Sequence, residues 1–249
     1  NAVQRLVEWR LLRQADAYVV HGELLAEQAV EQAWYRPGAP VFRIRQGMLA
    51  QPSGAAPLPD EPTILFFGRV EYYKGLDVLV DAVPLCESRL SGLKVIVAGT
   101  GADLERCRAL AHGNPRFEWH DRFIADEDIP DLFARASVSV LPYREASQSA
   151  VAALAFSNRR AVVASRVGAL PEAIRDGVTG ALVPPEDPGV LADVLCEVLS
   201  NRAKLDAMSD AALEEITAGR LSRGAIAAAH IDAYRRTRER LTAGGGSPR

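Results

Sequence analysis

Three short segments hold residues whose types and spacing could bind a diphosphate and the hydroxyls of a sugar. In the first, Phe66-Phe67-Gly68-Arg69-Val70-Glu71-Tyr72-Tyr73-Lys74-Gly75-Leu76, an apolar run stops at Gly68 and a helical pattern begins near Gly75. Ligands of open parallel sheets bind beyond the carboxyl ends of the strands. A helix N-terminus placed there offers unpaired N–H groups and a partial positive charge. Gly68 lets the backbone come close, Arg69 supplies a planar fork for two oxygens, and Lys74 adds a second cation. Together they would make a diphosphate site. On these residues alone, a surface turn with two solvated cations is an equal reading.

The second segment, Leu141-Pro142-Tyr143-Arg144-Glu145-Ala146-Ser147-Gln148-Ser149-Ala150-Val151, again runs from a strand pattern into a helical one. Ser147 or Ser149 could cap that helix and leave N–H groups facing an anion. Glu145 and Gln148 suit sugar hydroxyls. An ordinary N-cap accounts for one serine, less readily for the whole polar cluster. The third segment, Val163 to Glu172 and on through Asp176-Gly177-Val178-Thr179-Gly180, places Gly168 at a turn and Pro171 in the first turn of a short helix. Most of it reads as scaffold, and Glu172 is its one candidate ligand.

Weaker signals resolve toward structure. Gly99-Thr100-Gly101 opens like a dinucleotide-binding turn, but Leu104 stands where the third glycine belongs, so a structural turn is favoured. His21, His112, His120 and His230 show no metal-ligand spacing, and no metal is expected. His21, at a strand end, reads as structural. Cys86, Cys107 and Cys196 fall in helical patterns far apart and read as small buried hydrophobes in a reducing compartment.

Positioning these segments requires alternating strands and helices. Strands are expected at residues 17–20, 41–44, 63–67, 94–98, 116–119, 137–141, 161–164 and 180–183, and helices at 76–89, 102–111, 129–135 and 149–158. The strands are nearly continuous apolar runs, as in a parallel sheet covered on both faces. Strand–helix–strand repetition then implies right-handed crossovers and a doubly wound α/β fold. Residues 48–62, with Pro52, Pro57, Pro59 and Pro62 and no periodicity, read as a linker. Residues 1–47 are too few for a core of their own and are expected to be the tail of a second α/β domain. Residues 63–200 form the main domain, 201–241 two C-terminal helices, and 242–249 a flexible tail. Ile226, His230, Ala233 and Tyr234 share one side of the last helix.

Composition narrows the function. The chain has 249 residues, 48% of them hydrophobic, enough for one or two domains with real cores. Its 29 basic and 32 acidic residues leave a net charge of −3, which argues against a nucleic-acid binder working by phosphate neutralisation. No apolar run has the roughly 18 residues of a membrane span, and no secretory signal pattern opens the sequence. Beginning at Asn1, the sequence is expected to be a fragment of a longer protein.

The Gly-Arg…Lys-Gly-Leu, Pro-Tyr…Ala-Ser-Gln-Ser and Val-Gly-Ala-Leu-Pro-Glu…Asp-Gly-Val-Thr-Gly…Val-Pro-Pro blocks stand in the order found in family 4 (group 1) retaining glycosyltransferases of the GT-B fold. The resemblance covers residues 63 to about 200, the donor-binding half, and points to a bacterial Pro-Tyr…Gln-Ser subgroup. It implies a nucleoside-diphosphate sugar as co-substrate, no cofactor, and an acceptor bound by the N-terminal half, with a role in polysaccharide or cell-envelope glycan synthesis. It also implies a cytoplasmic enzyme, any contact with the inner membrane face coming through that N-terminal half, and a last helix folded back across the interdomain cleft. Carried over, Arg69 and Lys74 would hold the diphosphate as the catalytic pair, beside Gly68. Phe123 and Ile124 would lie against the base. Glu145, Ser147, Gln148, Ser149 and Glu172 would complete the donor site. The sequence departs from the family at Ala146 and Leu154, where many relatives carry two glutamates, though the subgroup lacks them. It departs from the subgroup at Ala150, Arg159 and Ala161, usually Gly, Gly and Pro, and Arg45-Gln46-Gly47 replaces the common Pro-His-Gly. A catalytically degenerate nucleotide-sugar-binding subunit or paralogue is the alternative. A GT-B epimerase would need placed acids and bases that the sequence does not show.

Overall fold

The computed structural model describes residues 9–31, 35–45, 56–147 and 149–243. The described residues from 56 to 219 form one compact unit, and those up to 45 together with those from 220 onward form another.

The larger unit is built on six parallel strands: β3 (Thr63–Phe67), β4 (Lys94–Ala98), β5 (Phe117–His120), β6 (Val138–Leu141), β7 (Ala161–Ser165) and β8 (Gly180–Val183). Their order is β5-β4-β3-β6-β7-β8, every pairing parallel. Strands β3, β4 and β6 to β8 are mostly buried, the continuous apolar signature of a doubly covered sheet. Ile64, Phe66, Val95, Val97, Val138, Val140 and Val163 alternate onto one face. There they meet α2 (Leu76–Glu87), α3 (Leu104–Leu110) and α7 (Pro188–Ser200). Against the other face Phe133 of α4 (Ile129–Ala134) packs on Phe67, ring centroids 5.5 Å apart. α5 (Ala150–Ser157) and α8 (Arg202–Thr217) pack together there, and α8 also contacts β7 and β8. A short α6 (Leu170–Ala173) precedes β8.

The chain runs outward from β3 through β4 to β5, then returns to lay β6 on the other side of β3. The switch in strand order therefore lies between β3 and β6, where adjacent loops diverge and leave a crevice at the carboxyl edge. That is the place of the first two sequence segments.

The elements arrive within a few residues of the sequence expectation. α5 begins at Ala150 with Ser149 as N-cap residue, but the Ser149 hydroxyl makes no capping bond, contrary to the expectation that a serine side chain would cap this helix. The proline-containing stretch from residue 56 is not a bare tether: Leu58 is buried in the core, and α8 is part of this unit rather than lying beyond it.

In the smaller unit β1 (Tyr18–Val20) and β2 (Val41–Arg43) pair in parallel around α1 (Glu23–Glu31), a single strand–helix–strand turn. The last helix, α9 (Arg223–Ala243), belongs to this unit: Arg240 donates to the Gly38 carbonyl at 2.7 Å, and the Arg236 guanidinium sits 5.3 Å from the centre of the Phe42 ring. Of the four residues expected to share one side of it only Ala233 is buried; Tyr234 is 72% exposed. No helix among the described residues is long and apolar enough to cross a membrane.

One buried cation ties the scaffold. Arg160, fully buried, has no carboxylate partner among the described residues. Its guanidinium donates to the carbonyls of Phe133 (2.7 Å) and Ala134 (3.1 Å) at the end of α4. It also reaches those of Asn158 (3.1 Å) and Arg159 (2.8 Å) after α5, and of Ala56 (2.9 Å) and Pro57 (3.2 Å). Helix C-terminal carbonyls lack intrahelical donors and carry partial negative charge, so one planar fork closes two helices and pins the entering chain. Burial pushes its pKa down to about 10, which leaves it charged at neutral pH. Arg160→Met strands these carbonyls and is expected to lower the unfolding free energy by about 3–5 kcal/mol in a urea titration. A loss under about 1 kcal/mol would show that water replaces the guanidinium.

Candidate functional site

The three segments meet at the carboxyl edge, and glycines are what let them meet. Gly75 (φ +65°) lies so close to the Pro142 carbonyl that a Cβ would overlap it. Gly168 (φ +53°) stands in the same relation to the Ala146 carbonyl. Both angles also fall where side-chain-bearing residues are strained. The Arg144 amide donates to the Tyr73 carbonyl at 2.8 Å, lacing the loop after β3 to the loop after β6. A Cβ on Gly68 (φ +108°) would come 3.6 Å from Val151, so this glycine faces the first turn of α5. The Gly99–Gly101 turn serves the same packing, since a Cβ at either glycine would strike the Gly68 or Val70 carbonyl.

Lys74 is the focus of this edge. It sits in a 3-10 turn, Tyr72–Lys74, that leads through Gly75 into α2. Its ammonium lies 3.9 Å from the centre of the Tyr143 ring and 5.3 Å from that of Tyr73, contacts worth up to about 2 kcal/mol when desolvated. Among the described residues it makes no ion pair. Burial, with the Arg69 charge adding to it, pulls its pKa from 10.5 down to about 8. Arg69 is exposed and likewise makes no ion pair among the described residues. Beneath Lys74, burial pushes the Tyr143 phenol up to about 12, with the Ser149 hydroxyl opposing that shift. The two hydroxyls are close enough to interact, but neither reaches full hydrogen-bond geometry with a partner among the described residues. Two cations without an ion pair among the described residues, the neighbouring Tyr143 and Ser149 hydroxyls and the N-terminus of an eight-residue helix thus share one crevice. Such a set can accept a multiply charged anion with little rearrangement.

The other proposed residues are placed less centrally. Glu145 and Ser147 are exposed on the loop after β6, and Gln148 lies outside the described residues, as do Gln46 and Gly47. Glu172 is half-buried in α6. Phe123, 82% exposed, and Ile124, buried, follow β5, two strands out from β3. His21 Nδ1 lies 3.2 Å from the Ile44 carbonyl, a structural contact. Arg159 adopts φ +55° and pairs with Asp206 and Asp210, so a side-chain-bearing residue holds a left-handed turn here. Ala150 is exposed at the first turn of α5, and Ala161 opens β7. Cys86, Cys107 and Cys196 are buried free thiols. Burial pushes Cys86 and Cys107 up to about 12, away from nucleophilic thiolate. The acidic run Asp126–Asp128 forms one 3-10 turn, with Asp128 paired to Arg122 at 2.8 Å.

Sequence reasoning missed the ionic cluster behind the Lys74 turn. Asp77, in the first turn of α2, receives both ends of the Arg144 fork (2.8 and 3.0 Å) and Nη2 of Arg106 (2.9 Å). Burial alone would raise its carboxyl, but these hydrogen bonds outweigh burial and hold it below the usual carboxylate range. Arg106 also holds Asp103, and Arg144 also holds Glu186 at 2.9 Å. The available signal was an arginine directly after Pro142-Tyr143, inside a segment already singled out. At the amino ends of the strands lies a cavity of about 370 Å³, lined among others by Thr63, Lys94, Glu118 and Arg135. Its cations are paired, Lys94 with Glu61 and Arg135 with Glu118.

Comparison with known proteins places the fold in a family. Residues 61–201 match the family model for "Glycosyl transferases group 1". The chain is 32% identical over 254 aligned positions to a D-inositol 3-phosphate glycosyltransferase of Saccharomonospora viridis, covering 94% of this chain and 56% of that protein. It spans about half the length of the curated relatives it matches. Among solved structures, sucrose-phosphate synthase from Thermosynechococcus elongatus superposes with a TM-score of 0.75 at 24% identity, covering 96% of this chain and 62% of that one. Anabaena HepE in complex with UDP-glucose superposes with a TM-score of 0.72 at 18% identity, covering 94% and 67%. These two share the fold. With the family model spanning the whole sheet and all three motif segments, the chain belongs to the group 1 glycosyl transferases.

Proposed function

We propose that this chain is the donor-binding part of an enzyme that moves a sugar from a nucleoside diphosphate to an acceptor with retention at the anomeric carbon. The observation that carries the reading is the pair of unneutralised cations, Lys74 and Arg69, at the crevice between β3 and β6, beside the N-terminus of α5. As the bond from the anomeric carbon to the diphosphate breaks, negative charge grows on the departing phosphate. Preorganised cations and amides aimed at that charge supply the largest part of such a barrier reduction. No metal is needed to neutralise it in this scheme, and no side chain is assigned as general base. The leaving phosphate itself would take the acceptor proton. A structural neighbour, Anabaena HepE, is in complex with UDP-glucose, which supports a nucleotide-sugar donor. We place the acceptor in polysaccharide or cell-envelope glycan assembly.

Ala146 and Leu154, where many relatives carry glutamates, favour one second reading: a nucleotide-sugar-binding homologue without turnover. Transfer by the full-length protein separates the two.

Calorimetric titration with UDP, GDP and ADP tests the site. One nucleotide is expected to bind, and Arg69→Ala to weaken it at least tenfold while leaving the melting temperature unchanged; equal binding by the variant would remove Arg69 from the site. In full-length enzyme the same substitution is expected to lower kcat by about 10²–10³. A pH dependence follows from Lys74. Its charged form attracts the diphosphate, and in the free protein that form is lost as pH rises through about 8. Affinity should therefore fall by up to about tenfold per unit above pH 8, and binding near pH 8.5 should take up a proton as the anion raises the Lys74 pKa. Lys74→Met should flatten this profile. A steep profile surviving in that variant would assign the titration elsewhere.

A further inference from the structure

We propose that Arg144 is the positioning residue of the donor site: its guanidinium, locked onto Asp77, holds the Tyr72–Lys74 turn and so sets where the Lys74 ammonium stands. This rests on the donor-site reading above. Four contacts converge on the one side chain. Nη1 donates to the Tyr72 carbonyl at 2.8 Å and to Asp77 Oδ1 at 2.8 Å. Nη2 donates to Asp77 Oδ2 at 3.0 Å, and Nε to Glu186 at 2.9 Å. The guanidinium lies over the Tyr72 ring, 4.1 Å from its centre, while the backbone N–H of Arg144 donates to the Tyr73 carbonyl. Both peptide carbonyls immediately before Lys74 are therefore fixed by one residue.

Arg144 is not itself a third cation for the diphosphate. The guanidiniums of Arg144 and Arg106 face the carboxylates of Asp77, Asp103 and Glu186, so the cluster has no positive charge to spare. Lys74 and Arg69 do. Nor is net stability a sufficient account, since a largely buried ion pair is often no better than an apolar one of the same volume. What the bidentate fork adds is geometry. It joins the loop after β6 to the loop after β3, the first turn of α2 and the loop after β8, with side-chain exposures of only 14% for Arg144 and 11% for Asp77. A lysine could keep the charge but not these simultaneous directions.

The test uses Arg144→Met, Arg144→Lys, Lys74→Met and the Arg144→Met/Lys74→Met double variant of the chain, titrated with UDP, GDP and ADP. Lys74 is also titrated by NMR of its side chain in the unliganded protein. Arg144→Met is expected to weaken nucleotide binding by about 10- to 100-fold, the cost of misplacing a site group by about 1 Å. Arg144→Lys should not restore it. The double variant should bind no more than about twofold weaker than Lys74→Met, because Arg144 acts through Lys74; multiplying losses would overturn the proposal. In both Arg144 variants the Lys74 pKa should return toward that of an ordinary lysine. If Arg144→Met does not fold, Arg144→Lys carries the same expectation. If the unmodified chain binds none of the three nucleotides, the donor-site reading falls, and the Lys74 titration still decides: an unchanged value in Arg144→Lys overturns the positioning role.

Discussion

A lysine with no carboxylate partner among the described residues is the constraint around which the carboxyl edge is arranged. Withdrawing an ammonium from water is unfavourable, and folded chains usually answer with an acidic partner. Here the carboxylates behind the Lys74 turn, Asp77, Asp103 and Glu186, are each paired with Arg106 or Arg144. Among the described residues Lys74 instead faces the rings of Tyr143 and Tyr73. The arrangement keeps a positive charge partly desolvated and unspent beside a helix N-terminus. An arriving diphosphate then meets an attraction that water has not already screened away.

The rest of the larger unit can be understood as what holds that charge in place. Parallel strands align their carboxyl ends, the reversal between β3 and β6 opens the crevice, and Gly75 and Gly168 allow three loops to touch through their backbones. Away from the crevice, Arg160 ends α4 and α5 on one guanidinium. The two buried arginine systems differ in kind. Arg160 satisfies carbonyls and serves the fold, whereas Arg144 satisfies carboxylates and a turn and serves the site.

Much of this was legible in the residues. Short β-branched runs such as Ala161–Ser165 and Lys94–Ala98 identified a doubly covered parallel sheet, because burial on both faces removes the polar alternation that would blur it. The motif segments were legible because glycines and cations cluster where a strand gives way to a helix. What escaped was whatever depends on partners far along the chain. Arg144 and Asp77 lie 67 positions apart, and no local pattern says that they meet. Ser149 has the right type for a cap, yet its hydroxyl makes no capping bond and lies beside Tyr143, a neighbour six positions back that no cap rule considers. On α9, Tyr234 follows the helical period and still faces solvent, since periodicity cannot say how wide a stripe a neighbour covers. The base-contact assignment for Phe123 and Ile124 came from family likeness, and it places one exposed and one buried residue two strands from Lys74.

The central claim is that the anion is received at the carboxyl edge, between β3 and β6. Backbone amide chemical-shift mapping of the chain during titration with UDP and GDP addresses it residue by residue. The account requires the largest shifts at Gly68 to Gly75 and at Ser149 to Val151, with smaller ones at Gly168. Shifts confined to the opposite strand ends, around Thr63, Lys94 and Arg135, would contradict it and move the ligand to the cavity at the amino edge.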